Sequence, residues 1–143
     1  MSAEYDSDFY AWAKEQAALL RAGNVAAADW NHIAEEIESM GRSERRELVN
    51  RLAILLTHLL KWRFQPGFRG ASWSSTIREQ RVRLRNHLLD NPSLKSQLAE
   101  SYAQAYELAA IAAARETGLP EAALPGSAPF TVADAMDTDF WPD

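Results

Sequence analysis

Apolar residues recur every three or four positions along most of this chain, which predicts helices and leaves no stretch with the alternation of a strand. The first predicted helix covers about 8–22, with Phe9, Trp12, Gln16, Leu19 and Leu20 on one face. Asp6 or Ser7 can cap its start, and Gly23 can supply a left-handed stop. The second covers about 26–40 and places Trp30, Ile33, Ile37 and Met40 at spacings of 3, 4 and 3, ending at Gly41. The third, about 44–64, carries Leu48, Leu52, Leu55, Leu59 and Trp62. Val49, Leu56 and Leu60 add a second apolar strip, the mark of a central, mostly buried helix.

Pro66, Gly67 and Gly70 break the chain before a fourth helix over about 73–89, whose Ile77, Leu84 and Leu88 face inward. Ser72, Ser74 and Ser75 read as capping residues there, and Thr76 with Glu79 has the spacing of a capping box. Asn91 and Pro92 form a stop and restart, with Asn91 as cap and Pro92 in the first turn of a fifth helix over about 92–117. That helix presents Leu94, Leu98, Tyr102, Ala105, Tyr106, Ala109 and Ala113, and Gly118 ends it. The tail, 118–143, is broken by Pro120, Pro125 and Pro129, with one helical turn in VADAM. Its Phe140 and Trp141 are costly to leave in water, so the tail is expected to dock on its own protomer or a neighbour. The pattern describes an all-α single domain over 1–143: a compact bundle of about five helices with an irregular C-terminal tail packed on it.

Composition narrows the function classes. The 143 residues contain no cysteine, which excludes disulfides, thiolate metal ligands and cysteine nucleophiles. The acidic N-terminus does not read as a secretory signal, and the longest apolar segments are too short to span a bilayer. A cytoplasmic protein without membrane attachment is expected. The net charge of −5 hides an uneven distribution. Residues 41–87 hold eleven of the fifteen basic side chains and sum to +8, whereas 1–40 sum to −6 and 88–143 to −7. A basic centre between acidic flanks either neutralises them within the fold or meets an anionic partner.

Two constellations can carry chemistry. In KWRFQPGFRGASW, the cations Lys61, Arg63 and Arg69 interleave with Phe64, Phe68 and Trp73, an arrangement that suits stacking on unpaired bases while neutralising phosphates. The competing reading is that these rings, with Trp62, close the end of the core while the cations solvate them. Arg81, Arg83 and Arg85 follow but spread around their helix, and Arg81 falls on the apolar stripe, as a buried or interfacial ion pair would. The second constellation is Glu36, Arg51 and His58, read as a polar seam that sets helix register or, alternatively, as part of a Glu/His metal site. No G-x-S-x-G turn or glycine-rich phosphate loop is present, so no catalytic residue is assigned and no cofactor is expected. The five tryptophans are expected to be core anchors.

The segments YDSDFYAWAKEQAALLRAG, DWNHIAEEIESMGRSERREL, LLTHLLKWRFQP, SWSSTIREQR, NPSLK and DTDFWP occur here in that order. Together they resemble the family labelled domain of unknown function 29, found mainly in cyanobacteria and proteobacteria. The resemblance covers almost the whole chain and implies an all-helical single domain of bacterial, cytoplasmic origin. It implies no catalytic residues, so no site is carried over from it. The leading expectation is a non-enzymatic interaction module whose basic and aromatic centre binds a protein or single-stranded nucleic acid. The alternative is a metal-dependent enzyme using the Glu/His site. Self-association through the apolar tail remains open.

Overall fold

The computed structural model describes residues 4–143, and among these there is no strand. The described residues form five α-helices: α1 (Phe9–Arg21), α2 (Trp30–Phe64), α3 (Ala71–Asp90), α4 (Leu98–Thr117) and α5 (Val132–Met136). Short 3₁₀ turns lie at Val25–Ala27, Pro66–Phe68, Pro92–Gln97 and Glu121–Ala123. The all-α expectation is therefore borne out, but the five helices are not the five predicted. The expected second and third helices are one continuous 35-residue helix, and the fifth α-helix is the turn inside the tail.

Gly41 did not stop α2. A glycine ends a helix by adopting positive φ, and only Gly23 and Gly118 do so. Gly41 keeps helical geometry between strong helix formers, and the Glu38–Arg42 pair at 3.9 Å spans it. One interior glycine costs about 1 kcal/mol relative to alanine, too little to interrupt a helix that both flanks propagate.

The chain divides into two units, up to Ser43 and from Glu44 onward, with α2 contributing its first part to one and the remainder to the other. In the first unit Asp8, not Asp6 or Ser7, caps α1, its Oδ1 accepting from Ala11 N at 3.1 Å. Gly23, at φ 74°, closes the helix as expected. Trp12 and Gln16 are the buried residues of α1. Both reach Asp29: Trp12 Nε1 donates to its carboxylate at 3.0 Å, and Gln16 Oε1 accepts from its backbone N–H at 2.7 Å.

In the second unit, Leu48, Leu52, Leu55, Leu56, Leu59 and Leu60 of α2 are fully buried, together with Ile77 and Leu84 of α3. Ala105, Ala109 and Ala113 of α4 belong to the same core. Helix α3, the fourth helix expected from the sequence, begins without a side-chain cap. Ser74 and Thr76 donate instead to the carbonyls of Ala71 and Ser72, and Glu79 pairs with Arg83. Asn91 likewise turns backward, Nδ2 donating to the His87 carbonyl at 3.1 Å, and Pro92 opens a 3₁₀ segment before α4. Gly118, at φ 80°, ends α4 with its N–H on the Ala114 carbonyl.

The tail packs on its own protomer. An irregular segment leaves backbone carbonyls without ladder partners, and those carbonyls must find donors when buried. Tyr102 and Tyr106 hydroxyls donate to the carbonyls of Phe130 and Pro125 at 2.7 and 2.5 Å. Arg81 donates to Ala135 and Phe140 at 2.8 and 2.7 Å, and Arg69 to Pro142 at 3.3 Å. Trp141 rests against Trp62 at 4.8 Å between ring centres, and Phe140 meets Phe130 edge-on at 5.8 Å.

Candidate functional site

Much of the basic and aromatic stretch is used inside the second unit. Lys61, at the end of α2, is buried; its Nζ donates to Glu116 at 3.0 Å and lies over the Trp73 ring at 5.2 Å. Arg69 turns back over Trp62, donating through Nε to the Trp62 carbonyl at 2.6 Å. Arg63 is exposed and covers the half-buried Phe64 ring at 5.5 Å. Of the rings in this stretch, Phe68 is the one left open, at 72% exposure. Lys61 and Trp73 therefore meet each other, Arg63 meets Phe64, and Arg69 meets Trp62. Only Arg63 and Phe68 of the six face solvent.

Arg81 is buried as its place on the apolar stripe required, yet no carboxylate bonds it. Its partners are the two tail carbonyls, with the Trp141 ring 5.4 Å from its guanidinium carbon. Burial draws its pKa below the usual arginine value, with Asp137 opposing.

Glu36, Arg51 and His58 each have a separate partner. Glu36 accepts from the Tyr5 hydroxyl, a bond that with burial pushes the Tyr5 pKa up to about 12. Arg51 forks onto Glu47 Oε1, with Nε at 3.1 Å and Nη2 at 2.8 Å. His58 Nδ1 donates to the Ile54 carbonyl at 2.9 Å, and burial lowers its pKa. Beside Asp29, His32 completes a small network in the first unit. Its Nδ1 lies 2.8 Å from Asp29 Oδ2 and its ring stacks on Tyr5 at 4.0 Å. The bond raises His32 and lowers Asp29 from their ordinary pKa values.

Two features were missed by sequence reasoning. One is the exposure of the Trp30/Ile33/Ile37/Met40 stripe on the first part of α2: Ile33 is half-buried, whereas Trp30, Ile37 and Met40 are 50%, 59% and 60% exposed. Trp30 anchors only its Nε1, on the Val25 carbonyl at 2.7 Å. Periodicity located the stripe correctly but cannot say what covers it.

The other is a cluster of Glu44, Glu47 and His87 in the second unit, with one ligating atom from each within 4.8 Å of one another. His87 Nε2 donates to the Glu44 carbonyl at 2.8 Å, leaving Nδ1 facing Glu47 Oε2 at 3.3 Å and Glu44 Oε2 at 3.7 Å. The available signal was the Glu44-x-x-Glu47 spacing, which puts two carboxylates on one helical face. It was masked by the surrounding arginines and by having its histidine forty residues away on another helix.

No helix among the described residues is long and apolar enough to cross a membrane. No curated protein and no solved structure matches the chain. A family model does match, over residues 4–141, and the chain belongs to that family, Domain of unknown function DUF29.

Proposed function

We propose that this protein is a non-enzymatic interaction module that binds a partner protein through the Trp30/Ile37/Met40 stripe. The occupant we assign is a basic amphipathic segment. The observation that carries the reading is the uncovered stripe itself: three large apolar side chains at helical spacing, each half exposed or more. Leaving such a face in water is unfavourable, and a tryptophan with two aliphatic neighbours is the kind of anchor that dominates an interface. Charge selects the partner. Residues 1–40 sum to −6, so a like-charged second copy is repelled while a basic helix is attracted and steered.

The central basic surface supports nucleic acid less well, because Lys61, Arg69 and Trp73 are engaged within the chain. A labelled Leu/Lys amphipathic peptide, titrated by fluorescence anisotropy across a salt series, tests the reading. Binding is expected to weaken with salt and to fall at least tenfold in the Ile37→Ser/Met40→Ser variant. Equal binding by that variant would overturn it. So would a dimer seen by ultracentrifugation that the same variant dissolves, since the occupant would then be a second copy. Single-stranded RNA bound more tightly than the peptide, and lost in Arg63→Glu/Phe68→Ser, would overturn it in favour of nucleic acid.

A further inference from the structure

We propose that Glu44, Glu47 and His87 form a binding site for one divalent transition-metal ion of the Zn²⁺ class. It uses none of the residues of the interaction stripe. The Glu44 carbonyl can only accept, so His87 Nε2 carries the proton of that 2.8 Å bond. The other ring nitrogen, Nδ1, faces both carboxylates, with Glu47 Oε2 at 3.3 Å and Glu44 Oε2 at 3.7 Å. One ring nitrogen and two carboxylate oxygens thus converge within 4.8 Å of one another, a donor set that a proton on the ring or a single metal ion can occupy.

Three further features match a metal rather than a surface acidic patch. First, the spacings fit: tetrahedral Zn²⁺ with bonds of about 2.0–2.2 Å holds its ligand atoms about 3.4 Å apart. The two His87–carboxylate distances are 3.3 and 3.7 Å. Second, the imidazole is 8% exposed and fixed by a backbone carbonyl, the usual support of a ligating histidine. Third, Arg51 holds Glu47 through Oε1 and leaves Oε2 free to ligate.

A polar groove of about 430 Å³, lined also by Arg83, Asn86 and Asp90, gives an ion and its remaining water a path in. One nitrogen and two oxygen donors suit Zn²⁺, and Mn²⁺ less tightly. Ca²⁺ and Mg²⁺ prefer all-oxygen shells. Arg51 and Arg83 face the same groove and moderate the affinity, since each adds a positive charge near the ion.

The test is to strip the full chain with a chelator and titrate it with ZnCl₂ against a chromogenic competitor. One equivalent is expected to bind, more tightly than Mn²⁺, with Ca²⁺ failing to compete. Glu47→Gln and Glu44→Gln are each expected to weaken Zn²⁺ at least tenfold, and His58→Gln to leave it unchanged. Glu44 is half exposed, so its variant keeps the fold even where His87→Gln does not, and circular dichroism checks this. Failure to bind one equivalent, or wild-type binding in both glutamine variants, would overturn the site.

Discussion

Arg81→Met is the most informative single substitution. Methionine keeps most of the aliphatic volume but removes both donors that hold the tail, at Ala135 and Phe140. A hydrogen bond from a charged donor contributes about 1.5–3 kcal/mol, so the pair accounts for about 3–6 kcal/mol. Some of this is returned. Arg81 is 2% exposed, and its Nη1 has no bonding partner, so deleting it relieves a desolvation cost.

The net expected loss is about 3 kcal/mol, which lowers the transition of the 44–143 unit by about 12–24 °C. Thermal circular dichroism measures that loss. Trp141 reports the local event: released from Trp62 and Arg81, it should shift to the red before the helices melt. Arg81→Lys provides the control, because an ammonium has no fork to span two carbonyls and should lose about half as much. Wild-type stability in both variants would refute the view that Arg81 clamps the tail.

Gly41→Ala should stabilise the chain by about 1 kcal/mol, since a Cβ there meets nothing within 4 Å and the backbone is helical; denaturant unfolding measures it, and destabilisation would mean that α2 breaks there. Leu55→Ala, at a fully buried position, should cost about 2–5 kcal/mol in the same assay. The His32–Asp29 pair predicts a pH window for the first unit. With His32 raised above 6.5, its contribution is complete below 6.5 and is lost as pH rises through the folded value. With Asp29 lowered below 3.8, its contribution is present above 3.8 and is lost as pH falls through the folded value. Proton NMR of the His32 ring should give a midpoint above 6.5, and a lower one would refute the pairing.

Local signals were read correctly where the governing physics is local. The Leu48/Leu52/Leu55/Leu59 stripe is a buried helix face because four leucines at helical spacing have few other uses. Gly23 and Gly118 stop their helices because nothing beyond them favours continuation. Gly41 has the same residue type but lies between helix-forming flanks, and the balance there reverses. The capping serines failed for a related reason: a hydroxyl near a helix start can donate back to a carbonyl as readily as it accepts from an N–H.

The candidate sites were less legible because their partners lie far away in sequence. Lys61 reads as a surface cation until Glu116, 55 positions on, takes it. Glu44 and Glu47 look like half of an ordinary charged helix until α3 brings His87 to them.

The sequence by itself determined that the chain is helical, where some helices stop, as at Gly23 and Gly118, and which faces are apolar, because these follow from backbone propensity and side-chain period. Only the tertiary structure decided which faces are covered. It leaves Trp30, Ile37 and Met40 open, turns Arg69 from an apparent binding residue and Arg81 from an expected ion pair into braces for the tail, and assembles a histidine with two carboxylates. Burial and pairing depend on residues that the chain brings together from a distance, and no local pattern encodes that meeting.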